Sequence, residues 1–216
     1  MKKSRSRIVL NILIALCSIG AWLVMVFHSE GMLTDTGLRS LKYFTVLSNL
    51  FEGTACIIWL FAKGEAVARA EKIKYAGTVS VALTFLTVMF FLGPLYGYIS
   101  MLSGVNLFLH LLVPVAALAE CIFLSRTIYS RKDNLLSVVP MLIYGTFYLG
   151  NNLINGTGEW PATNDWYSFL YWGYPIGIGI FAVLCLVTYG AGAVIRIVNN
   201  YYDRKASGLR EGEVIE

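Results

Sequence analysis

The stretch IVLNILIALCSIGAWLVMVF, residues 8–27, decides the structural class of this chain. Its twenty residues include no charged side chain, and a helix of that length crosses the hydrocarbon core of a bilayer. The run is longer than the hydrophobic region of a cleaved signal peptide, and no small-x-small site closes it. We therefore expect this first helix to be retained.

Five further apolar runs follow, and little of the chain lies outside them. Hydrophobic residues make up 57% of the sequence and charged residues only 14%, which excludes an ordinary soluble domain. Spanning segments in lipid must bond their own backbone groups, and alternating ten-residue strands are absent, so we expect helices. The predicted fold is an all-α membrane protein, one bundle of six transmembrane helices over 1–216 with a flexible cytoplasmic tail over 197–216. The six predicted spans are 8–28, 43–62, 75–99, 105–125, 135–155 and 168–195.

The basic residues predict the orientation of the bundle. Of the 17 lysines and arginines, 15 fall before the first span or in the loops and tail that share its side of the membrane. Only Arg39 and Lys42 lie on the other side, so the positive-inside rule puts both termini in the cytoplasm. We expect a multi-pass protein of a bacterial plasma membrane. The net charge of +4 then describes a rim that attracts anionic lipid headgroups, and no nucleic-acid binding is expected.

Several classes of function are disfavoured by composition. With two histidines and no closely spaced ligand set, we expect no metal and no other cofactor. A retinal-type photoreceptor is disfavoured because no lysine lies within a predicted span to form a buried Schiff base. The four cysteines fall in four different predicted spans and are interpreted as packing residues: Cys17, Cys56, Cys121 and Cys185.

Two polar side chains lie a short way inside the outer ends of predicted spans. Thr45 occurs in the run Tyr43-Phe44-Thr45-Val46-Leu47-Ser48-Asn49, and His110 occurs in the run from Asn106 to Pro114. At about 1.5 Å of rise per residue, both lie within roughly 8 Å of the outer boundary. An ionisable group at that depth is a functional-site hypothesis by default.

Neighbouring polar residues predict a pocket that opens towards the outer leaflet. Asn49 and Glu52 share one helical face with Thr45, and Asn106 lies one turn before His110. Pro114 removes the N–H that would bond the carbonyl of His110. The predicted substrate-binding residues are Ser48, Asn49, Asn106, Tyr148, Asn151 and Asn152.

Each feature also has a structural explanation. The hydroxyl of Thr45 could bond its own helix, His110 could pack between helices, and the asparagines could join helices without a ligand. The aromatic residues near the outer ends are interpreted as an interfacial belt: Tyr96, Tyr98, Trp160, Trp166, Tyr167, Tyr171 and Trp172. The same pocket would also suit a non-catalytic lipid- or small-molecule-binding protein or a transporter.

Three segments resemble those of a known family. The segment from Tyr43 to Leu50, the segment His110-Leu111-Leu112-Val113-Pro114 with an acid at Glu120, and the aromatic residues around 158–170 are similar to the androgen-induced-gene/ADTRP family of six-helix membrane proteins and its bacterial relatives. The resemblance implies a threonine hydrolase that cleaves fatty acid esters of hydroxy fatty acids. Carried over, Thr45 is the nucleophile and His110 its partner. The chain departs from the family where Ser168 replaces a frequent proline and where 162–165 adds a polar run.

This function is chemically coherent for a lipid-ester substrate in a bilayer. A threonine hydroxyl becomes a nucleophile when a base such as neutral imidazole takes its proton. The candidate donors to the oxyanion are Asn49, Asn106, Asn151, Asn152 and Tyr148. We expect Glu120 to be architectural, bonded across helices or paired with a basic residue such as Arg126, and Glu52 to be protonated within the bundle.

Overall fold

The computed structural model describes residues 3–28, 35–159 and 162–208, and all regular structure within those ranges is helical. Short helices over Gly37–Lys42, Tyr98–Met101 and Arg131–Leu136 lie in the connections. The six long helices are α1 (Arg5–Phe27), α2 (Phe44–Phe61), α3 (Ala66–Tyr96), α4 (Val105–Leu124), α5 (Val139–Asn155) and α6 (Tyr174–Ser207).

Five of these helices are long and apolar enough to cross a membrane, namely α1, α2, α3, α4 and α6. The remaining long helix, α5, has 17 residues. Large apolar side chains on α6 face outward, such as Leu186 at 70% exposed and Val183 at 57%. An apolar surface of that extent would be costly in water and is suited to lipid. The helices therefore indicate a multi-pass membrane protein.

The helix α3 begins earlier than the predicted span 75–99, and this overturns one argument from the sequence. Lys74 lies inside α3 and is 2% exposed. Its ammonium is 2.5 Å from a carboxylate oxygen of Glu120, so the charge is paired within the bundle. A hydropathy scale places a charged residue outside a span because it contains no information about a partner elsewhere in the sequence. The bundle therefore contains a buried lysine, although none lies within the spans predicted from the sequence, so the argument from the absence of a buried lysine fails.

The tail predicted to be flexible over 197–216 is instead helical as far as Ser207. Asn199 donates to the carbonyl of Cys121 at 2.7 Å, and the Asn200 side chain bonds both backbone groups of Tyr129 at 2.9 Å. These bonds hold the end of α6 against the last turn of α4 and the connection that follows it. Residues 209–216, the rest of the predicted tail, lie outside the described part of the chain.

Wide π-helical turns interrupt α3 and α4 close to their prolines. Two of these turns, Val88–Leu92 and Phe108–Leu112, are each centred four residues before a proline, Pro94 or Pro114. A proline has no N–H to give to the carbonyl four residues earlier, and a wider turn accommodates the loss. The turn over Phe108–Leu112 carries His110 at its centre.

The helices α1 and α3 both pack on α2. Small residues permit the close approach: a Cβ atom at Gly53 would lie 2.9 Å from the Cβ of Ser18 on α1. A cluster of aromatic side chains fills the end of the bundle where α2 begins, with Tyr43, Tyr144 and Tyr148 all buried. This aromatic end contains the candidate site.

Candidate functional site

Thr45 and His110 line the same small cavity. Its volume of about 20 Å³ is close to the minimum that a single water molecule needs. His110 is 7% exposed, so the cavity lies within the bundle. The structure thus brings together the two residues that similar depth had selected from the sequence.

A backbone carbonyl fixes the tautomer of His110. The Nδ1 atom lies 2.6 Å from the carbonyl oxygen of Met101. A carbonyl only accepts, so Nδ1 carries the hydrogen and Nε2 keeps its lone pair. Met101 ends the short helix Tyr98–Met101, which follows Gly97 at a φ of +87°. No residue pattern could have indicated this partner, because a carbonyl can come from any residue type.

Asn49 joins the turn that carries Thr45 to the turn that carries His110. Its Nδ2 group donates to the carbonyl of Thr45 at 2.8 Å and to the carbonyl of Leu109 at 3.0 Å. Both of its N–H hydrogens are therefore used, and Asn49 is not a donor to a substrate. The predicted binding residue Asn49 instead fixes the spacing between α2 and α4.

The π turn explains why the carbonyl of Leu109 is free to accept from Asn49. The N–H of Val113 bonds the carbonyl of Phe108, five residues back. The next residue, Pro114, has no N–H at all, so neither can donate to Leu109. We predicted from Pro114 that the carbonyl of His110 would be left as an acceptor. The structure shows that the carbonyl captured by a side chain is that of Leu109.

Thr45 is the second residue of α2, where α-helices have unpaired N–H groups. Neither its hydroxyl nor its N–H has a hydrogen-bond partner among residues 3–28, 35–159 and 162–208. Bonding of the hydroxyl to its own helix, the structural explanation considered above, is not observed. The positive end of the helix dipole at this point favours developing negative charge.

A larger apolar chamber adjoins the small cavity. Its volume is about 270 Å³, and α2, α3, α5, α6 and residues 166–169 contribute its lining. Thr45, Leu92 and Tyr167 line both spaces. Thr45 therefore lies at the junction between the small cavity and the apolar chamber.

Tyr167, which we interpreted as part of an interfacial belt, belongs to the site. Its hydroxyl accepts the N–H of Phe44 at 3.0 Å, beside Thr45. Its own N–H donates to the hydroxyl of Tyr148 at 3.3 Å, and that hydroxyl donates to Asp165. Tyr148 lines neither cavity, so its role is to hold the loop that presents Tyr167. Trp160, another member of the predicted belt, lies outside the described residues.

Asn106 is the one predicted oxyanion donor that lines the small cavity. It is 3% exposed, and its side-chain amide has no hydrogen bond within the described ranges. An amide donor with spare capacity beside Thr45 is suited to stabilise an oxyanion. Asn106 and the N–H of Thr45 are therefore two donors without a partner beside the Thr45 hydroxyl.

The other predicted binding residues lie elsewhere. Ser48 bonds the carbonyl of Thr45 and the hydroxyl of Thr84, each at 3.0 Å. Asn152 uses both amide hydrogens on backbone carbonyls at 2.9 Å. Asn151 lines a separate groove nearer the surface. These three residues support or surround the site without lining the cavity of Thr45.

Neither Glu52 nor Glu120 orients His110. Glu120 accepts from Arg7 at 2.5 Å and pairs with Lys74, so it bonds across helices as expected, but to partners other than Arg126. Glu52 has only distant contacts, 3.5 Å to the Thr78 hydroxyl and 3.6 Å to a cysteine sulfur. Within the described ranges, no group of three or more His, Cys, Asp or Glu residues could hold a metal ion.

The loop that carries Tyr167 has a residue in the left-handed conformation directly after that tyrosine. Ser168 has a φ of +56°, a left-handed conformation that proline, with φ fixed near −65°, cannot adopt. Ser168 also lines the apolar chamber. Ser168 therefore provides both a left-handed turn in the loop and part of the chamber wall.

No family model, curated protein or solved structure matches this chain. Its function is therefore inferred from the arrangement of its own side chains.

Proposed function

We propose that this protein is an integral membrane lipid-ester hydrolase in which Thr45 is the nucleophile and His110 the general base. One observation carries the proposal: both side chains line one buried cavity, and the carbonyl of Met101 leaves Nε2 of His110 as the atom that can take a proton. The resemblance of the Thr45 and His110 segments to the androgen-induced-gene/ADTRP family points to the same pair.

The reaction has two halves. The Thr45 oxygen attacks the ester carbonyl carbon while Nε2 of His110 takes the hydroxyl proton, and the carbonyl becomes an oxyanion. Collapse of that intermediate expels the alkoxide, which takes the proton from His110 and leaves an acyl ester on Thr45. Water then attacks this ester with His110 again as base, and the acid and free Thr45 are released.

The surroundings of Thr45 suit both the oxyanion and the acyl chain of the substrate. The N–H of Thr45 and the amide of Asn106 are donors without other partners among the described residues, so they can stabilise the oxyanion. The apolar chamber of about 270 Å³ suits an acyl chain. We propose a fatty acid ester of a hydroxy fatty acid, or a similar acyl ester, as the substrate.

The proposed topology has six spans, with α5 as the sixth, and both termini in the cytoplasm of a bacterial plasma membrane. The support is the distribution of lysines and arginines: 15 of the 17 fall on the side of the membrane that the positive-inside rule assigns to the cytoplasm. A cysteine introduced near Asp165 should react with a membrane-impermeant maleimide in intact cells, whereas one near Lys72 should be protected. The opposite pattern would invert this topology.

Covalent labelling tests the hydrolase directly. Purified protein is treated with a fluorophosphonate directed at serine and threonine hydrolases, and the adduct is mapped by peptide sequencing. We expect the label on Thr45, with none in Thr45→Ala and full labelling in Thr54→Ala, a lipid-exposed threonine of the same helix. Saturable lipid binding without label or turnover would favour the non-catalytic binding protein instead.

A further inference from the structure

A second polar space lies at the surface beyond the aromatic cluster. It is a groove of about 540 Å³ between the short helix Gly37–Lys42, the end of α5 and residues 162–166. Arg39 and Lys42 both line it. These two are the only lysines or arginines that the proposed topology places on the outer side of the membrane. Their convergence on one groove gives the outer surface a single basic site.

The groove carries a positive charge that the described residues do not neutralise. The ammonium of Lys42 lies 3.0 Å from a carboxylate oxygen of Asp35, so those two charges offset one another. The exposed guanidinium of Arg39 has no ion pair within 3–28, 35–159 and 162–208. Its planar fork of N–H donors matches a carboxylate or a phosphate.

A neutral donor faces the same space. Asn151, one of the binding residues predicted from the sequence, lines the groove, and its Oδ1 atom accepts from Asn155 at 2.8 Å. The amide hydrogens of Asn151 have no partner among the described residues. By contrast, the Thr163 hydroxyl and the Asn164 amide are used on loop carbonyls at 2.8 Å. Arg39 and Asn151 therefore supply the available donors.

One side chain is shared between the lining of this groove and that of the apolar chamber. Trp166 lines both spaces. Its indole N–H donates to the hydroxyl of Tyr144 at 3.1 Å, and that hydroxyl donates to the carbonyl of Lys42 at 2.7 Å. An amphiphile with its charged group in the groove could pass its chain beside Trp166 towards Thr45.

We propose that this groove binds the anionic group, a carboxylate or a phosphate, of the acyl ester whose chain occupies the chamber. The inference rests on the proposed function and adds a substrate class to it: the enzyme selects anionic amphiphilic esters over neutral ones. Arg39 is the main specificity-determining residue, and Asn151 is the second donor.

Turnover by the full chain in neutral lipid nanodiscs tests the selection. The substrates are a fatty acid ester of a hydroxy fatty acid with a free carboxylate and the methyl ester of the same compound. We expect kcat/KM to favour the free acid at least tenfold, and Arg39→Gln to reduce that preference about tenfold, because a charge-assisted hydrogen bond is lost. Arg126→Gln, an arginine at the other end of the bundle, should leave the preference unchanged, and added salt should weaken it.

Binding without turnover separates this inference from the hydrolase itself. Thr45→Ala protein is titrated with oleate, with a monoacyl glycerol phosphate and with neutral monoolein, and tryptophan fluorescence is followed. Tighter binding of an anionic probe that Arg39→Gln weakens and Arg39→Lys partly restores supports the groove, even if the wild type hydrolyses nothing. Comparison of oleate with the phosphate identifies the preferred group. Equal turnover of acid and methyl ester, with equal binding of all three probes, would overturn the inference and leave a Thr45-dependent hydrolase standing.

Discussion

Buried polar groups are bonded differently at the two ends of the bundle. At the end where α1 begins, charged side chains bond one another: Arg7 donates to both carboxylate oxygens of Glu71 at 2.7 Å and to Glu120 at 2.5 Å. At the Thr45 end, neutral groups with spare hydrogen-bonding capacity surround two cavities. The charges of the buried cluster are paired with one another, whereas the neutral end retains unused donors.

The contrast separates polar residues that support the fold from those that can do chemistry. A buried charge in a membrane protein requires partners, and the cluster of Arg7, Glu71, Lys74 and Glu120 supplies two positive and two negative charges within the bundle. The indole of Trp59 completes it by donating to Glu71 at 2.6 Å. Four helices meet there. With its charges already paired, this cluster is suited to fixing the helices in place.

Substitution of the proposed pair should have the largest effect. Thr45→Ala and His110→Ala should each lower kcat/KM at least about 10³-fold, or about 4 kcal/mol, because the nucleophile or its base is lost. The double variant should be no worse than either single variant, since the two residues act as one unit. Ester hydrolysis is the measurement, with unfolding temperature as the control. Additive losses would indicate two independent binding roles.

A substitution at the charged end should lower the stability of the protein and leave catalysis intact. Glu120→Gln removes a charge that Arg7 and Lys74 both contact, so we expect about 3 kcal/mol of destabilisation. Thermal unfolding in nanodiscs measures the loss, and the turnover rate per folded molecule should stay within about tenfold, a barrier change of about 1.4 kcal/mol. Normal stability with lost turnover would contradict the division between the two ends.

Loss of the proposed oxyanion donor should be the next largest effect. Asn106→Leu keeps the side-chain size and removes the amide, so kcat should fall about 10²-fold, or about 2.7 kcal/mol. KM should change little, because the bond strengthens only as the oxyanion forms. Steady-state kinetics separate the two constants. A rise in KM with unchanged kcat would make Asn106 a binding residue.

The long apolar helices could be predicted from the sequence because they depend on local composition. Every predicted span overlaps a long helix, and Thr45 and His110, which we selected for their similar predicted depth, line one cavity. The start of α3 could not be predicted in this way. Lys74 is buried because Glu120 neutralises it, and hydropathy has no information about partners that distant in sequence.

The parts of the site that the sequence did not reveal depend on irregular backbone. Met101 acts through its carbonyl, and Tyr167 reaches the cavity because the loop that carries it is held by Tyr148 and Asp165. Asn49 was correctly placed near the site but given the wrong role. Its amide is consumed by the carbonyl of Leu109, which only the π turn makes available.

Glu52 should give the smallest effect, and it tests the contrast most finely because it lies between the two ends. One carboxyl oxygen has no hydrogen-bond partner among the described residues, and the nearby cation of Lys74 is paired with Glu120. An unpaired carboxylate in that environment would take up a proton. A Cβ atom at Gly77 would lie 2.3 Å from this oxygen, so the glycine makes room for the group.

A protonated carboxyl and an amide have nearly the same size and charge. Glu52→Gln should therefore change the free energy of unfolding by less than about 1 kcal/mol, as for a substitution that neither breaks an ion pair nor opens a cavity. The rate per folded molecule should stay within about tenfold. Gly77→Ala, which crowds the same carboxyl, should destabilise the protein more. Thermal unfolding and turnover of the two variants, measured side by side, provide the comparison. A well-folded Glu52→Gln protein that loses as much activity as His110→Ala would show that this acid takes part in catalysis, and the boundary between the two ends would then lie deeper in the bundle.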